Sequence, residues 1–221
     1  MTDCRKHCLV YAVTDRAWLR GRTLAEAVEE ALAGGATMIQ LREKELTGPA
    51  LEAEARAVQK VCAAYGVPFI VNDDVELAAR IGADGVHVGQ TDMAAAAARS
   101  ILGPEKIVGV TAKTVEQARA AAAAGADYLG SGAVFGSATK KDAKPMSPAQ
   151  FAEICSSVDI PVVAIGGINS ENMEELTRCG MAGFAIVSGI FAADSITEMT
   201  RQIRAKAEKL VLGNGNDKSW S

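Results

Sequence analysis

Aromatic residues make up only 5% of this 221-residue chain. That is too few to fill a core with rings, so the interior has to be aliphatic and rich in small residues, as where helices pack closely on a parallel sheet. Positive charge is also short: 23 Lys and Arg against 27 Asp and Glu leave a formal net charge of -4. With no basic run interleaved with aromatics, this balance argues against a nucleic-acid partner. No apolar stretch approaches the roughly 18 residues of a membrane span, and the N-terminus shows no signal-peptide core, so no membrane partner is expected. The five cysteines (Cys4, Cys8, Cys62, Cys155, Cys179) are odd in number and scattered. That pattern speaks against a disulfide framework and for a reduced, cytoplasmic chain. Cys4, His7 and Cys8 lack the second Cys/His pair that a zinc site needs, and they read as ordinary residues at a frayed terminus.

What is present is an alternation of short apolar runs with longer amphipathic or alanine-rich stretches. The runs at 8–13, 37–41, 68–71, 84–88, 106–110, 128–130, 162–165 and 184–187 read as strands. The stretches at 24–33, 49–65, 75–81, 93–102, 115–124, 148–156, 171–179 and 196–211 read as helices. Three hinges repeat one wording, Gly34-Gly35-Ala36, Gly82-Ala83-Asp84 and Gly125-Ala126-Asp127. Each puts glycine at a helix C-terminus and a small residue before the next strand, as αβ turns on a close-packed sheet require. Eight such units predict α/β architecture and a single (β/α)8 TIM barrel over residues 1–212, with an open doubly wound sheet as the alternative. The polar 213–221 tail is expected to be disordered.

In such a barrel, reactive residues sit where strands end and βα loops begin, at the C-terminal rim of the strands. Gln40, Arg42 and Lys44 share one face at the end of the second strand, and an amide with two cations there calls for an anion. Asp73 and Asp92 follow the third and fourth strands; they are hard oxygen ligands suited to Mg2+, which is commonly held by one or two carboxylates plus substrate phosphates. Lys140, on the long loop after the sixth strand, adds a third cation. Acids for a metal with bases around it describe a diphosphate site. Gly166-Gly167 and Ser188-Gly189, after the last two strands, offer backbone N–H groups for a plain phosphate. Simpler structural roles stand beside each reading: Asp74, Asp92, Thr114 and Asn169 suit helix N-caps, Gly166-Gly167 suits a tight turn, and His87 suits a satisfied core histidine. Capping explains neither six polar loops together nor the three cations.

Six stretches, Gln40–Lys44 (QLREK), Val71–Asp74 (VNDD), Asp84–Gln90 (DGVHVGQ), Gly109–Thr111 (GVT), Val134–Ala143 (VFGSATKKDA) and Ala164–Ile168 (AIGGI), together resemble the successive signatures of the thiamine phosphate synthase family. The resemblance runs in register from about Tyr11 to Ala192. It implies a transferase that condenses 4-amino-2-methyl-5-hydroxymethylpyrimidine diphosphate with 4-methyl-5-(2-phosphoethyl)-thiazole, giving thiamine phosphate and diphosphate with Mg2+. Carried over residue by residue, it implies a pyrimidine diphosphate site of Gln40, Arg42, Lys44, Asn72, Thr111 and Lys140. Among these, Arg42, Lys44, Thr111 and Lys140 would be catalytic. It implies Asp73 and Asp92 for the metal, and Ser137, Thr139, Gly167, Val187 and Ser188 for the thiazole phosphate. Thr111 and Ser137 stand where the family usually has serine and threonine and keep the hydroxyl, whereas Lys113 replaces a usual histidine. Two rivals are a thiazole tautomerase-like barrel, against which Arg42, Lys44, Asp73, Asp92 and Lys140 argue, and a phosphate-ligand-binding protein without turnover. The expected partners are the two small-molecule substrates, with homo-oligomerisation left open.

Overall fold

The structure, a computed structural model, describes residues 4–90, 93–136 and 145–213. Eight strands, β1 (Val10–Val13), β2 (Met38–Leu41), β3 (Phe69–Asn72), β4 (Gly85–Val88), β5 (Ile107–Thr111), β6 (Tyr128–Gly132), β7 (Val162–Ile165) and β8 (Gly183–Ile186), pair in sequence order. They close into one all-parallel barrel, β8 returning to β1 through Val10 and Phe184. The helices are α1 (Leu24–Ala33), α2 (Gly48–Tyr65), α3 (Val75–Ile81), α4 (Ala95–Leu102), α5 (Val115–Ala123), α6 (Pro148–Ser156), α7 (Ser188–Phe191) and α8 (Ile196–Ala207). The closed barrel, not the open sheet, is therefore the arrangement adopted.

Alternation along the strands sorts the core into two shells. Val10, Ala12, Ile39, Leu41, Phe69, Val71, Val86 and Val88 face the helices and join the larger apolar cluster. Tyr11, Val13, Met38, Ile70, Ile107, Tyr128, Val163 and Ala185 fill the barrel itself.

The N-terminal end of the barrel is closed by a 3-10 turn, Arg5–Cys8. Cys4 and Cys8 are fully buried, and the Cys4 thiol donates to the Asp127 carbonyl at 3.5 Å. The expectation of a frayed terminus is thus corrected: two small apolar thiols pack into the inner cluster, and this burial orders the turn. The repeated hinges gain a purpose here, because the residue after each short turn reaches an amide of the preceding strand. Thr37 Oγ1 accepts from Val10 N at 2.9 Å, Asp84 from Phe69 N at 2.9 Å, and Asp127 from Val108 N at 2.8 Å. Arg99 of α4 then clamps this end, donating to the Gly103 and Gly125 carbonyls and pairing with the buried Asp127.

One predicted helix is absent. Residues 171–179 contain only a 3-10 turn, Met173–Leu176. Asn169 Oδ1 accepts from the Glu171 and Asn172 amides, and Asn172 Nδ2 donates to the Gly167 carbonyl at 2.8 Å, which ties the segment to the rim. The last predicted helix ends its regular part at Ala207 and continues as a π turn, Glu208–Leu212.

Candidate active site

The C-terminal rim gathers Gln40, Arg42, Asn72, Thr111, Lys113, Gly167, Val187 and Ser188 around one pocket. Its floor includes Tyr11, His87 and Gly130, and its walls include Val13, Ile165 and Ile168. Seven residues assigned to substrates from sequence therefore converge: Gln40, Arg42, Asn72, Thr111, Gly167, Val187 and Ser188. Four of them come from β2, β3 and β5 and three follow β7 and β8. Asp92, Ser137, Thr139 and Lys140 lie outside the described residues, as does the tail from 214 onward.

Arg42 follows β2, and its Nη1 meets Asp15 Oδ2 at 3.2 Å, with both side chains largely screened from solvent. Lys44 extends over the outer edge, where its Nζ lies 2.8 Å from Asp73 Oδ2. Arg42 and Lys44 thus each have a carboxylate partner. The exposed Lys44–Asp73 pair is easily exchanged, since pairs of this kind are worth only about 0–1 kcal/mol. The adjacent Glu43 points the other way along the chain and is anchored by Arg16 at 2.8 Å and by the Glu45 amide at 2.7 Å. Burial alone would raise the Glu43 carboxyl, but these amide and guanidinium bonds outweigh it and hold it below the usual carboxylate range.

Asp73 adopts a left-handed backbone conformation, φ 64°, which turns the chain out of β3 and carries its carboxylate to the mouth. The neighbouring Asp74 is an N-cap, accepting from Leu77 N at 2.8 Å, and Thr114 caps α5 in the same way. Two of the simpler roles therefore hold. For α4 the N-cap position is Ala94, so capping does not claim Asp92. Asp73 fits Mg2+ in kind: it is a partly exposed hard-oxygen donor beside Lys44. Among the described residues no three His, Cys, Asp or Glu side chains gather into a cage. An ion held by one or two carboxylates and substrate oxygens needs no such cage.

Gly166 and Gly167 have φ 100° and 69°. A Cβ on Gly167 would stand 2.7 Å from the Phe135 carbonyl oxygen, so only glycine lets this turn lie against the β6 loop. The short α7 begins at Ser188, directly after β8. Loops after the last two strands joined to a short extra helix are a recurrent phosphate cradle in barrels.

A polar group in the barrel interior was not anticipated from sequence as part of the site. Tyr11, Tyr128 and His87 lie beneath the pocket and link Gln40 to Thr111 through hydrogen bonds. The available signal was two tyrosines among so few aromatics, both in strands.

Residues 10–190 match the family model described as thiamine monophosphate synthase. The chain belongs to that family. It is a transferase that makes thiamine phosphate, as the six stretches implied. The chain is 42% identical over 201 residues to the thiamine-phosphate synthase of Clostridium botulinum, covering 91% of this chain and 94% of the relative. It is 46% identical over 202 residues to that of Ruminiclostridium cellulolyticum, covering 91% and 93%. Among solved structures, a thiamine phosphate pyrophosphorylase from Pyrococcus furiosus superposes with a TM-score of 0.86 at 36% identity, covering 94% of this chain and 98% of that one.

Proposed function

We propose that the chain joins 4-amino-2-methyl-5-hydroxymethylpyrimidine diphosphate to 4-methyl-5-(2-phosphoethyl)-thiazole and releases diphosphate. The observation that carries this reading is the two-sided pocket. Arg42, with Lys44 and Asp73 at its edge, faces the Gly166-Gly167 turn and Ser188 across apolar walls. The geometry suits two anionic substrates held with their rings between them.

Gln40 offers an amide to the aminopyrimidine, and Asn72 and Thr111 offer neutral donors beside it. Arg42 and Lys44 exchange Asp15 and Asp73 for the leaving diphosphate as charge grows on it, and Lys140 joins them from the loop after β6. Asp73 and Asp92 would hold Mg2+, which would supply positive charge to that diphosphate. Gly167 and Ser188 position the thiazole phosphate with Val187, Ser137 and Thr139. Breaking the C–O bond leaves a methylene cation stabilised by the electron-rich pyrimidine, and the thiazole nitrogen then supplies the electron pair for the new C–N bond. The apolar walls of Val13, Ile165 and Ile168 keep water from competing. Holding the two rings in reach is the protein's main contribution. Five buried free thiols suit a reducing, cytoplasmic setting.

The purified protein, given both substrates and Mg2+, should form thiamine phosphate, and excess chelator should abolish turnover. Undiminished turnover in chelator would remove the metal from the scheme. No product under any condition would favour the tautomerase-like or non-catalytic reading.

A further inference from the structure

Four hydrogen bonds run in series through the barrel interior. Gln40 Nε2 donates to Tyr11 Oη at 2.5 Å. Tyr11 Oη and Tyr128 Oη are 2.7 Å apart, Tyr128 Oη and His87 Nδ1 3.0 Å, and His87 Nε2 and Thr111 Oγ1 3.0 Å. Tyr11 and Tyr128 are fully buried, and Gln40 and His87 nearly so. The chain thus starts on β2, crosses β1, β6 and β4, and surfaces on β5. Its space is built in by two glycines facing inward. A Cβ on Gly109 would fall 2.1 Å from Tyr128 Cζ, and one on Gly130 would fall 3.1 Å from His87 Cε1.

Proton counting makes the series directional. Burial raises both phenols above their usual range, so each keeps its single proton. Tyr11, accepting from Gln40, must give its proton to Tyr128, and Tyr128 must give its own to His87 Nδ1. His87 then carries its proton on Nε2 and donates to Thr111. The opposite sense would have Thr111 donate inward and turn only lone pairs toward an anionic substrate.

We infer that Tyr11, Tyr128 and His87 are positioning residues for the reaction: a one-way hydrogen-bond chain, set by the Gln40 amide, that commits the Thr111 hydroxyl to donate its proton into the mouth. The inference rests on the placement of Thr111 against the pyrimidine diphosphate for its catalytic consequence. Its direction can be read without any ligand.

The sequence has two histidines, so a His7→Gln variant leaves one imidazole to observe. Nitrogen-15 NMR of that variant should show neutral His87 protonated on Nε2. In a Gln40→Glu background the carboxylate can only accept from Tyr11, so the chain should reverse and the proton should move to Nδ1. An Nδ1 proton in the parent, or a tautomer unmoved by Gln40→Glu, overturns the inference. In kinetics, Tyr128→Phe and Thr111→Val should each lower kcat roughly tenfold, the scale of one neutral hydrogen bond. KM for the thiazole phosphate should hold. The double variant should be no slower than Thr111→Val alone; independent, multiplying losses overturn action through Thr111. Should Tyr128→Phe fold poorly, Tyr11→Phe interrupts the same chain one step earlier and should give the same split. Wild-type turnover in Thr111→Val would instead overturn the placement of Thr111 at the substrate, and with it the catalytic effect of the chain.

Discussion

The two ends of the barrel handle charge in opposite ways. At the N-terminal end the buried Asp127 accepts from a strand amide and from Arg99, whose guanidinium is also bound to the Gly103 and Gly125 carbonyls. Asp127 is fully buried there and Arg99 partly so, and the other partners are backbone groups. At the C-terminal end, Arg42 and Lys44 each hold a single carboxylate at a solvent-facing mouth. The first arrangement ties one guanidinium to several groups at once, whereas in the second each cation has one carboxylate to exchange for a ligand, as we propose. An ion pair therefore serves stability at one end, while those at the other end are the ones we propose for chemistry.

The largest expected contrast comes from removing one cation at each end. Lys44→Ala should cut kcat by on the order of a hundredfold, the scale of one lost preorganised donor, with little change in Tm. Arg99→Met should leave Asp127 buried and unpaired, at a cost of roughly 3–5 kcal/mol. That cost corresponds to a fall in Tm of roughly 6 to 20 °C, with kcat of the folded fraction retained. Thermal scans and steady-state rates of the two variants would blur the contrast if both lost stability or both lost activity.

Gly109→Ala sharpens the comparison from within the barrel. Its methyl must displace the Tyr128 ring, which should cost about 1–3 kcal/mol of stability by overpacking and slow turnover as well. A variant with unchanged Tm and kcat would show that the interior rings have more room than their contacts indicate. Gly167→Ala should be narrower still, since its methyl meets the Phe135 carbonyl at the thiazole side. Calorimetry should find thiazole phosphate binding weakened and pyrimidine diphosphate binding kept; equal losses would contradict separate subsites.

The smallest effect concerns pH. Because the folded Glu43 carboxyl is held below its usual range, its contribution to stability is full above the unfolded value and disappears as pH falls through the folded one. Glu43→Gln should therefore flatten the acid limb of a Tm-against-pH profile. A parallel displacement at all pH values would assign Glu43 a packing role alone.

Barrel closure and most helix boundaries were legible in the sequence, because hydrophobic period and glycine hinges are local signals. Leu24–Ala33, Val75–Ile81 and Pro148–Ser156 fall as expected. The rim residues were legible for the same reason: they sit next to strand ends. Asp92, Ser137, Thr139 and Lys140 lie outside the described residues. What local pattern could not carry was pairing across the barrel. Tyr11 and Tyr128 are 117 positions apart, and His87, read from its apolar neighbours Val86 and Val88 as a satisfied core histidine, is one, but its partners Tyr128 and Thr111 were not legible. Cys4 and Cys8 read as terminal for a similar reason, since only the closed barrel supplies the cavity they plug. The 171–179 segment misled because its helical pattern is overridden by Asn169 and Asn172 binding the backbone.

The most direct test is calorimetric titration of pyrimidine diphosphate with Mg2+ into the parent protein, Arg42→Ala and Arg99→Met, each shown to be folded. If the exchangeable rim holds the diphosphate, the parent and Arg99→Met bind alike and Arg42→Ala loses at least tenfold in affinity, a scale set by one charged hydrogen bond. Equal affinity in all three proteins would contradict the assignment of the rim cations to the substrate.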